Sequence, residues 1–500
     1  WDDLVAEAEA DAPAPEDRPG HEPGGPGLRD LDIGGVEIRD ARVTWRDEQA
    51  GSALRLDPLN LTLGRIRPGV ESPLELSLSL YQEDPAMRVS VDLNALVNLD
   101  PASQRYALRR MVAAIEAEGE SLPRTMEARL EADMAVNMAD GVASVERMTL
   151  ETLGLQLVGL VQVQNLDGDK PKVTGEVRSN TFSVRELLEK LGQAVPETAD
   201  PEVLKNVAVD LAFEADAEAA SLTQLLVQLD DTRLGGNAQV SNYERPAIRA
   251  ELDVDRINLD RYLPPPADEP ASAPSGDAPA REGWPDDPIE LPVEMLRSLN
   301  VNAKLAIAEM TVSRLNLTAI SLTLMARDGL VEIRPLTGNL YEGSVEARMS
   351  LDVRGNTPRY AFEPALQGVN IGPLLDDLAE DEGKLAGTTR LSASINTRGN
   401  SVKQMVSALN GAGDFEFANG AVKGINIAQV IRDTEARLRG RTVEKGDEPN
   451  QTDFSELLGS FNIANGVVTN NDLRASSPLL RVQGEGTADL PQEQVDYRVD

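Results

Sequence analysis

The chain has 500 residues and a formal charge of −36, from 84 acidic against 48 basic side chains, with no cysteine and one histidine, His21. Thiolate catalysis, Cys/His zinc sites and imidazole bases are nearly excluded on that composition, and an acidic surplus without a basic patch argues against nucleic acid as a partner. Aromatics make up 3% of the residues, too few for base- or sugar-stacking platforms, so the apolar content is aliphatic.

Residues 1–30 are acidic and rich in Pro and Gly, which reads as a flexible linker. His21 lies in it with no partner in view and is read as inert. A β region is predicted over 31–263. Alternation begins at Val36-Glu37-Ile38 and Val43-Thr44-Trp45, and strengthens in Leu74 to Leu80 and in Val89, Val91 and Leu93. Residues 102–118, with Tyr106, Leu108, Met111, Val112 and Ile115, repeat at helical spacing and predict one amphipathic helix interrupting the sheet. Strand signals return in Leu155 to Val163, Val207 to Phe213, Leu225 to Leu229 and Ala247 to Val254. Asp140-Gly141, Asp167-Gly168 and Gly235-Gly236 mark turns between them.

A second linker is predicted over 264–288, dominated by Pro, Ala, Ser and acidic residues. The second β half, 289–500, resumes with Leu305-Ala306-Ile307, Val331 to Ile333 and Val345 to Val353. Within 409–432, Phe415 and Phe417 alternate with acidic residues, Asn419-Gly420 predicts a two-residue hairpin turn, and Asn426 caps a helix over 426–438. Short amphipathic helices are also expected at 183–191 and 401–409. No run of 18 apolar residues and no signal peptide occurs. The chain opens on Trp1-Asp2-Asp3-Leu4 and stops in the alternating Val495 to Asp500, so it is read as an internal segment of a longer protein.

A loose repeat underlies the pattern: strand, glycine, strand, proline, strand, short helix, as in Leu229 to Leu263 and again around Gly159, Gly343 and Gly484. One-sided strands need cover for the apolar face, and the few helices are insufficient. On composition alone the sheet either closes into a sandwich or lines a cavity. Catalytic constellations are weak. Gly411-Ala412-Gly413 and Gly484-Glu485-Gly486 begin like dinucleotide fingerprints, but Glu416 and Asp489 stand where the third glycine belongs, so turn or bulge glycines are expected. Asp376, Asp377, Glu380, Asp381 and Glu382 form the densest carboxylate group, lack EF-hand spacing, and read as a solvated helix end. No catalytic, cofactor or metal residue is assigned, and the chain is not expected to be an enzyme.

The stretch 409–432 resembles the signature of the AsmA family, and the resemblance is carried further by Asp255 to Leu263, Pro335 to Gly343 and Asn462 to Leu473. It implies a mainly β fold, long curved antiparallel sheet modules forming an apolar groove, as in bridge-type lipid transfer proteins. It also implies a place in the periplasm, anchored to the inner membrane through a segment absent from this sequence, and a role in outer-membrane biogenesis carrying phospholipid or another acyl lipid. The groove lining is assigned from hydrophobicity to Leu74, Leu76, Leu78, Val207, Val209, Leu211, Val345, Ala347 and Met349. The alternative is a scaffold or assembly factor for outer-membrane or other envelope proteins, without lipid transfer, which would engage its client by strand addition.

Overall fold

Period-two alternation is realised as strand along most of the described residues. The computed structural model describes residues 32–47, 52–168, 170–265, 283–378, 384–424, 426, 427, 429, 432, 450–477 and 481–500. The strands that precede the second linker are β1 (Val36–Asp47), β2 (Ser52–Leu63), β3 (Glu71–Gln82), β4 (Met87–Asp100), β5 (Arg105–Gly119), β6 (Met126–Asn137), β7 (Val142–Thr152), β8 (Leu155–Gln164), β9 (Lys172–Ser179), β10 (Val207–Ala215), β11 (Ala219–Leu229), β12 (Thr232–Ser241) and β13 (Ala247–Asn258). Those that follow it are β14 (Asn300–Val312), β15 (Leu315–Arg327), β16 (Leu330–Leu340), β17 (Gly343–Asp352), β18 (Arg359–Asn370), β19 (Leu385–Arg398), β20 (Asn410–Lys423), β21 (Gln451–Ala464), β22 (Val467–Ser476), β23 (Arg481–Asp489) and β24 (Gln494–Val499). Helices are few and short: α1 (Val184–Lys190), α2 (Val293–Ser298), α3 (Ile371–Leu378) and α4 (Val402–Ser407).

All 24 strands belong to one sheet, ordered as in the chain. Neighbours are antiparallel, as short hairpin connections require, with one exception: β13 and β14 run parallel from Ile248 opposite Val301 to Asn258 opposite Thr311. The parallel step needs a crossover from one end of the strands to the other, and residues 259–299 supply it. The described end of this crossover is strapped along the strand ends of the second half. Trp284 Nε1 donates to the Leu490 carbonyl at 2.6 Å, Ser401 Oγ to Asp286 at 2.8 Å, Ile289 N to the Asn400 carbonyl at 2.6 Å, and Arg297 Nε to the Val353 carbonyl at 2.9 Å. The 264–288 linker is thus described at residues 264–265 and 283–288, with 266–282 outside the described residues, as is the 1–30 linker.

β1 and β24 do not pair with each other, so the sheet is open. It is also curved, and chain length shows it. A Cβ on Gly192 would lie 3.0 Å from Pro123, between β5 and β6, while Ala199 N donates to the Leu263 carbonyl beyond β13. Seven residues reach at most about 25 Å, whereas the step from β6 to β13 along a flat sheet would be about 34 Å. The segment is a chord across a bent sheet. Around α3 the bend is also evident, since this one short helix packs in a cluster fed by Leu315 and Leu317 of β15, Leu340 of β16, Val345 of β17, Leu366 of β18, Leu385 of β19 and Phe417 of β20.

The structure corrects three sequence expectations. Residues 102–118 are not a helix but a hairpin end and strand β5. A register shift between Leu108 and Met111, with Arg110 at φ 51°, moves the apolar phase by one residue and so imitates helical spacing. Asn419-Gly420 is not a hairpin turn: both residues lie within β20, where Asn419 takes φ 51° at a bulge against β19. Gly235-Gly236 likewise lies inside β12. The helices expected at 183–191 and 401–409 are α1 and α4, capped by Ser183 and Ser401. Of the one at 426–438, Ile427, Gln429 and Arg432 are helical and Asn426 Oδ1 accepts from Gln429 N at 2.8 Å; the rest is outside the described residues.

Candidate functional site

Residues directly opposed in a ladder share a face, so the register tells which side chains look the same way. Leu74, Leu76 and Leu78 face Leu63, Leu61 and Leu59 on one side and Ala95, Leu93 and Val91 on the other. The file continues sideways from Leu93 through Ala113, Leu130, Leu150 and Leu157. Val207, Val209 and Leu211 oppose Leu229, Val227 and Leu225. From Leu225 the same face passes through Gly236, Leu252, Leu305, Leu322 and Leu336 to Ala347. Val345, Ala347 and Met349 oppose Leu366, Pro364 and Phe362. From Leu366 it runs on through Leu391, Phe415 and Gly459. The nine sequence-assigned residues therefore stand on one face of one sheet, and the parallel step at β13 and β14 keeps the phase, pairing Leu252 with Leu305 and Val254 with Ile307.

The opposite face is polar and laced with cross-strand ion pairs. Arg178 meets Asp210 at 2.8 Å, Lys304 meets Glu251 at 2.9 Å, and Arg390 meets Glu416 at 2.7 Å. Such exposed pairs add little stability each, but they mark this side as the wet one.

Cover over the apolar face is partial. Buried apolar side chains gather in small clusters: Ala95, Met111 and Ala132; Val254, Ile307 and Ile320; and Leu340 and Val369 with Ile371 and Leu374 of α3. Between them Leu76, Leu78, Val209, Leu211, Val345 and Met349 are half-buried, and Phe362 is 41% exposed. A two-sheet sandwich would bury such a layer continuously; here the layer is the wall of a trough.

The trough changes character along its length. Before β20 the wall is mostly Leu, Val, Ile, Ala and Met with scattered rings such as Phe213 and Phe362, whereas Phe415, Phe417, Phe454, Phe461 and Tyr497 gather in it from β20 onward. Four of these rings lie on glycines, Phe415 among them over Gly459. A Cβ on Gly413 would come 2.5 Å from Phe461 Cζ, on Gly420 2.4 Å from Phe454 Cζ, and on Gly486 2.5 Å from Tyr497 Cδ2. Of the glycines that begin like nucleotide fingerprints, Gly413, Gly484 and Gly486 are therefore ring seats and Gly411 lies against the Ser394 carbonyl; all four are inside β20 and β23 and not in turns.

Two tyrosine–aspartate contacts hold elements at the end of the trough where α1 and α3 lie. Tyr341, after β16, donates to Asp377 on α3. Tyr262, after β13, donates to Asp230 at 3.0 Å. Burial first, and the carboxylate partner second, push each phenol up to about 12. Among the described residues no group of three His, Cys, Asp or Glu side chains is placed to hold a metal ion. Asp376 and Asp377 end α3, and Glu380, Asp381 and Glu382 lie outside the described residues.

A family model described as the AsmA family matches residues 1–473. Protein AsmA of Escherichia coli (strain K12) is 26% identical over 290 residues, which cover 56% of this chain and 46% of that protein. The chain spans about half the length of the curated relative it matches.

Proposed function

Because the chain belongs to the AsmA family, we propose that it is a non-catalytic envelope protein that shelters acyl chains in its trough. It carries phospholipid through the periplasm in support of outer-membrane biogenesis, in association with the inner membrane. The observation that supports this reading is the unbroken apolar face, half-buried and continuous in register from Leu76 to Met349 and beyond.

The energetics favour continuity. Each methylene taken from a bilayer into water costs about 0.8 kcal/mol, so a two-chain lipid faces a barrier on the order of 20 kcal/mol. A wall of aliphatic side chains removes most of that cost while the head group stays in water at the open side. A gap of a few strands would restore it, which is why a phase error at the β13–β14 junction would matter more than any single side chain.

The test is native mass spectrometry with lipid extraction on protein purified from cells, beside a variant carrying Leu76→Asp, Val209→Asp and Ala347→Asp. Phospholipid that accompanies the wild type and is lost from a folded variant is the expected result. A folded wild type free of lipid would refute it and favour the assembly-scaffold reading, in which a client protein adds to a sheet edge.

A further inference from the structure

At the other end of the strands, opposite α3, the first residue of β18 and the last of β19 are both arginines, Arg359 and Arg398, and they stand directly across the ladder from each other. Like charges in that position repel. The other cations along this end of the second half are neutralised: Arg297 by Glu294 at 3.0 Å, Arg327 by Asp328 at 3.5 Å, Arg354 by Asp352 at 2.7 Å and Lys403 by Asp286 at 3.2 Å. Arg359 and Arg398 make no hydrogen bond or ion pair among the described residues. Asp352 stands across the ladder from Arg359 on its other side and is shared with Arg354, so in a chain of charge −36 three guanidiniums, Arg354, Arg359 and Arg398, gather around one carboxylate, a local inversion of sign.

They face space. Arg359 and Arg398 line a cavity of about 770 Å³, together with the Asp352–Arg354 pair and the polar residues Asn356, Thr357, Gln404 and Ser407. A second cavity of about 460 Å³ also has Arg359 and Arg398 in its wall and extends to Tyr360 and Thr397. Tyr360 is on the trough side of β18, next in line to the exposed Phe362, because it opposes Leu351 as Phe362 opposes Met349. The arginine pair thus sits at the strand end on the polar side, one residue from the apolar face, where Thr397 bonds to Met405 of α4 and beyond which Phe362 is exposed.

We propose that Arg359 and Arg398 form a binding site for the phosphate group of an anionic acyl lipid whose chains lie against Tyr360, Phe362 and Met349. Paired guanidiniums present forked donors that match phosphate oxygens, and a bound phosphate turns their mutual repulsion into attraction. The screening length near 8 Å at physiological salt lets this local charge act despite the acidic surface elsewhere. The inference rests on the lipid-trough reading and adds to it the head-group chemistry and the place of capture.

The experiment uses the full chain, sedimented with vesicles of phosphatidylglycerol or phosphatidylcholine, and compares Arg359→Gln/Arg398→Gln with Arg348→Gln, a cation of the polar face already paired with Glu346. With each arginine near an anionic surface worth roughly a fivefold factor, the double variant should lose about twenty-five-fold in affinity for phosphatidylglycerol vesicles and keep its melting temperature. Arg348→Gln should bind as the wild type does. Unchanged vesicle binding in the double variant overturns the site. Release of the wild type by millimolar inorganic phosphate, at matched ionic strength where chloride does not release it, assigns the pair to soluble anions and overturns the lipid assignment. Lipid extraction from the same preparations separates this from the trough itself: lipid absent from every protein contradicts the trough, while the vesicle comparison still decides the arginine pair.

Discussion

The carboxylate of Asp230 accepts from three successive backbone amides, Leu204 at 2.8 Å, Lys205 at 3.2 Å and Asn206 at 3.1 Å, and from the Tyr262 hydroxyl at 3.0 Å. It ties the chain entering β10 to the turn leaving β13. Removing it orphans these donors, so Asp230→Ala should cost about 1–3 kcal/mol in denaturant unfolding and lower the ionisation of Tyr262 from about 12 toward the ordinary phenol range, read by ultraviolet titration. The sign follows from linkage: a phenol whose folded pKa lies above its unfolded value contributes stability that is complete below about pH 10 and is lost as pH rises through about 12. Asp352 behaves in the opposite sense. The Arg354 side chain, then the Arg354 backbone amide, hold its carboxyl down to about 2, so its contribution is present above about pH 4 and is lost as pH falls toward 2. Arg354→Ala should move the Asp352 carboxyl back toward 3.8 in a carbon-detected NMR titration; an unmoved resonance would mean that the backbone amide alone sets it. None of these contacts was legible from sequence. Asp230 and Tyr262 are 32 positions apart, and only the sheet register brings them together, although Tyr262 does fall inside a stretch that carries the family resemblance.

At the scale of elements, the strands were legible where alternation was strict and hidden where a bulge broke it. β3 shows its face in the bare sequence because Leu74, Leu76, Leu78 and Leu80 are spaced by two without interruption. β5 does not, because Arg109 and Arg110 occupy a bulge and the apolar residues on either side fall out of phase. Asp133, buried at 5% exposure, holds that bulge by accepting from Arg110 N at 2.6 Å and from the Arg147 guanidinium. A sequence signal was present: consecutive arginines inside an otherwise apolar run suit a bulge that turns both toward water better than a helix face does. The aromatic end of the trough offers a sharper test. Gly413→Val would place its Cβ 2.5 Å from Phe461 Cζ and 2.5 Å from the Ser392 carbonyl, and the backbone oxygen cannot move aside. The expected loss is about 2 kcal/mol or more, measured by equilibrium unfolding. Ala412→Val, one residue away on the exposed polar face, should stay within about 0.5 kcal/mol of wild type. Equal effects at the two positions would mean that β20 does not present alternate residues to opposite sides.

At the scale of the whole molecule, the sequence made the mainly β class and an apolar face apparent, since an excess of one-sided strands over helices leaves that face without cover. It did not reveal that the two halves are one sheet. The connection between β13 and β14 is long enough to reach either end of either strand, so the parallel pairing that keeps Leu252 beside Leu305 is a property of the register alone. Nor did it reveal how α3 seats in the bend, which brings side chains of six strands around one short helix. The proposed function requires that one continuous face receive acyl chains while the other meets water. Photo-crosslinking tests it most directly. A photoreactive amino acid placed in turn at Leu76 and Ser77, at Val209 and Asp210, and at Met349 and Ser350, in protein irradiated in the cell envelope, should give lipid adducts at Leu76, Val209 and Met349 and none at their neighbours. Adducts at both members of each pair, or at neither, would contradict a one-sided lipid trough.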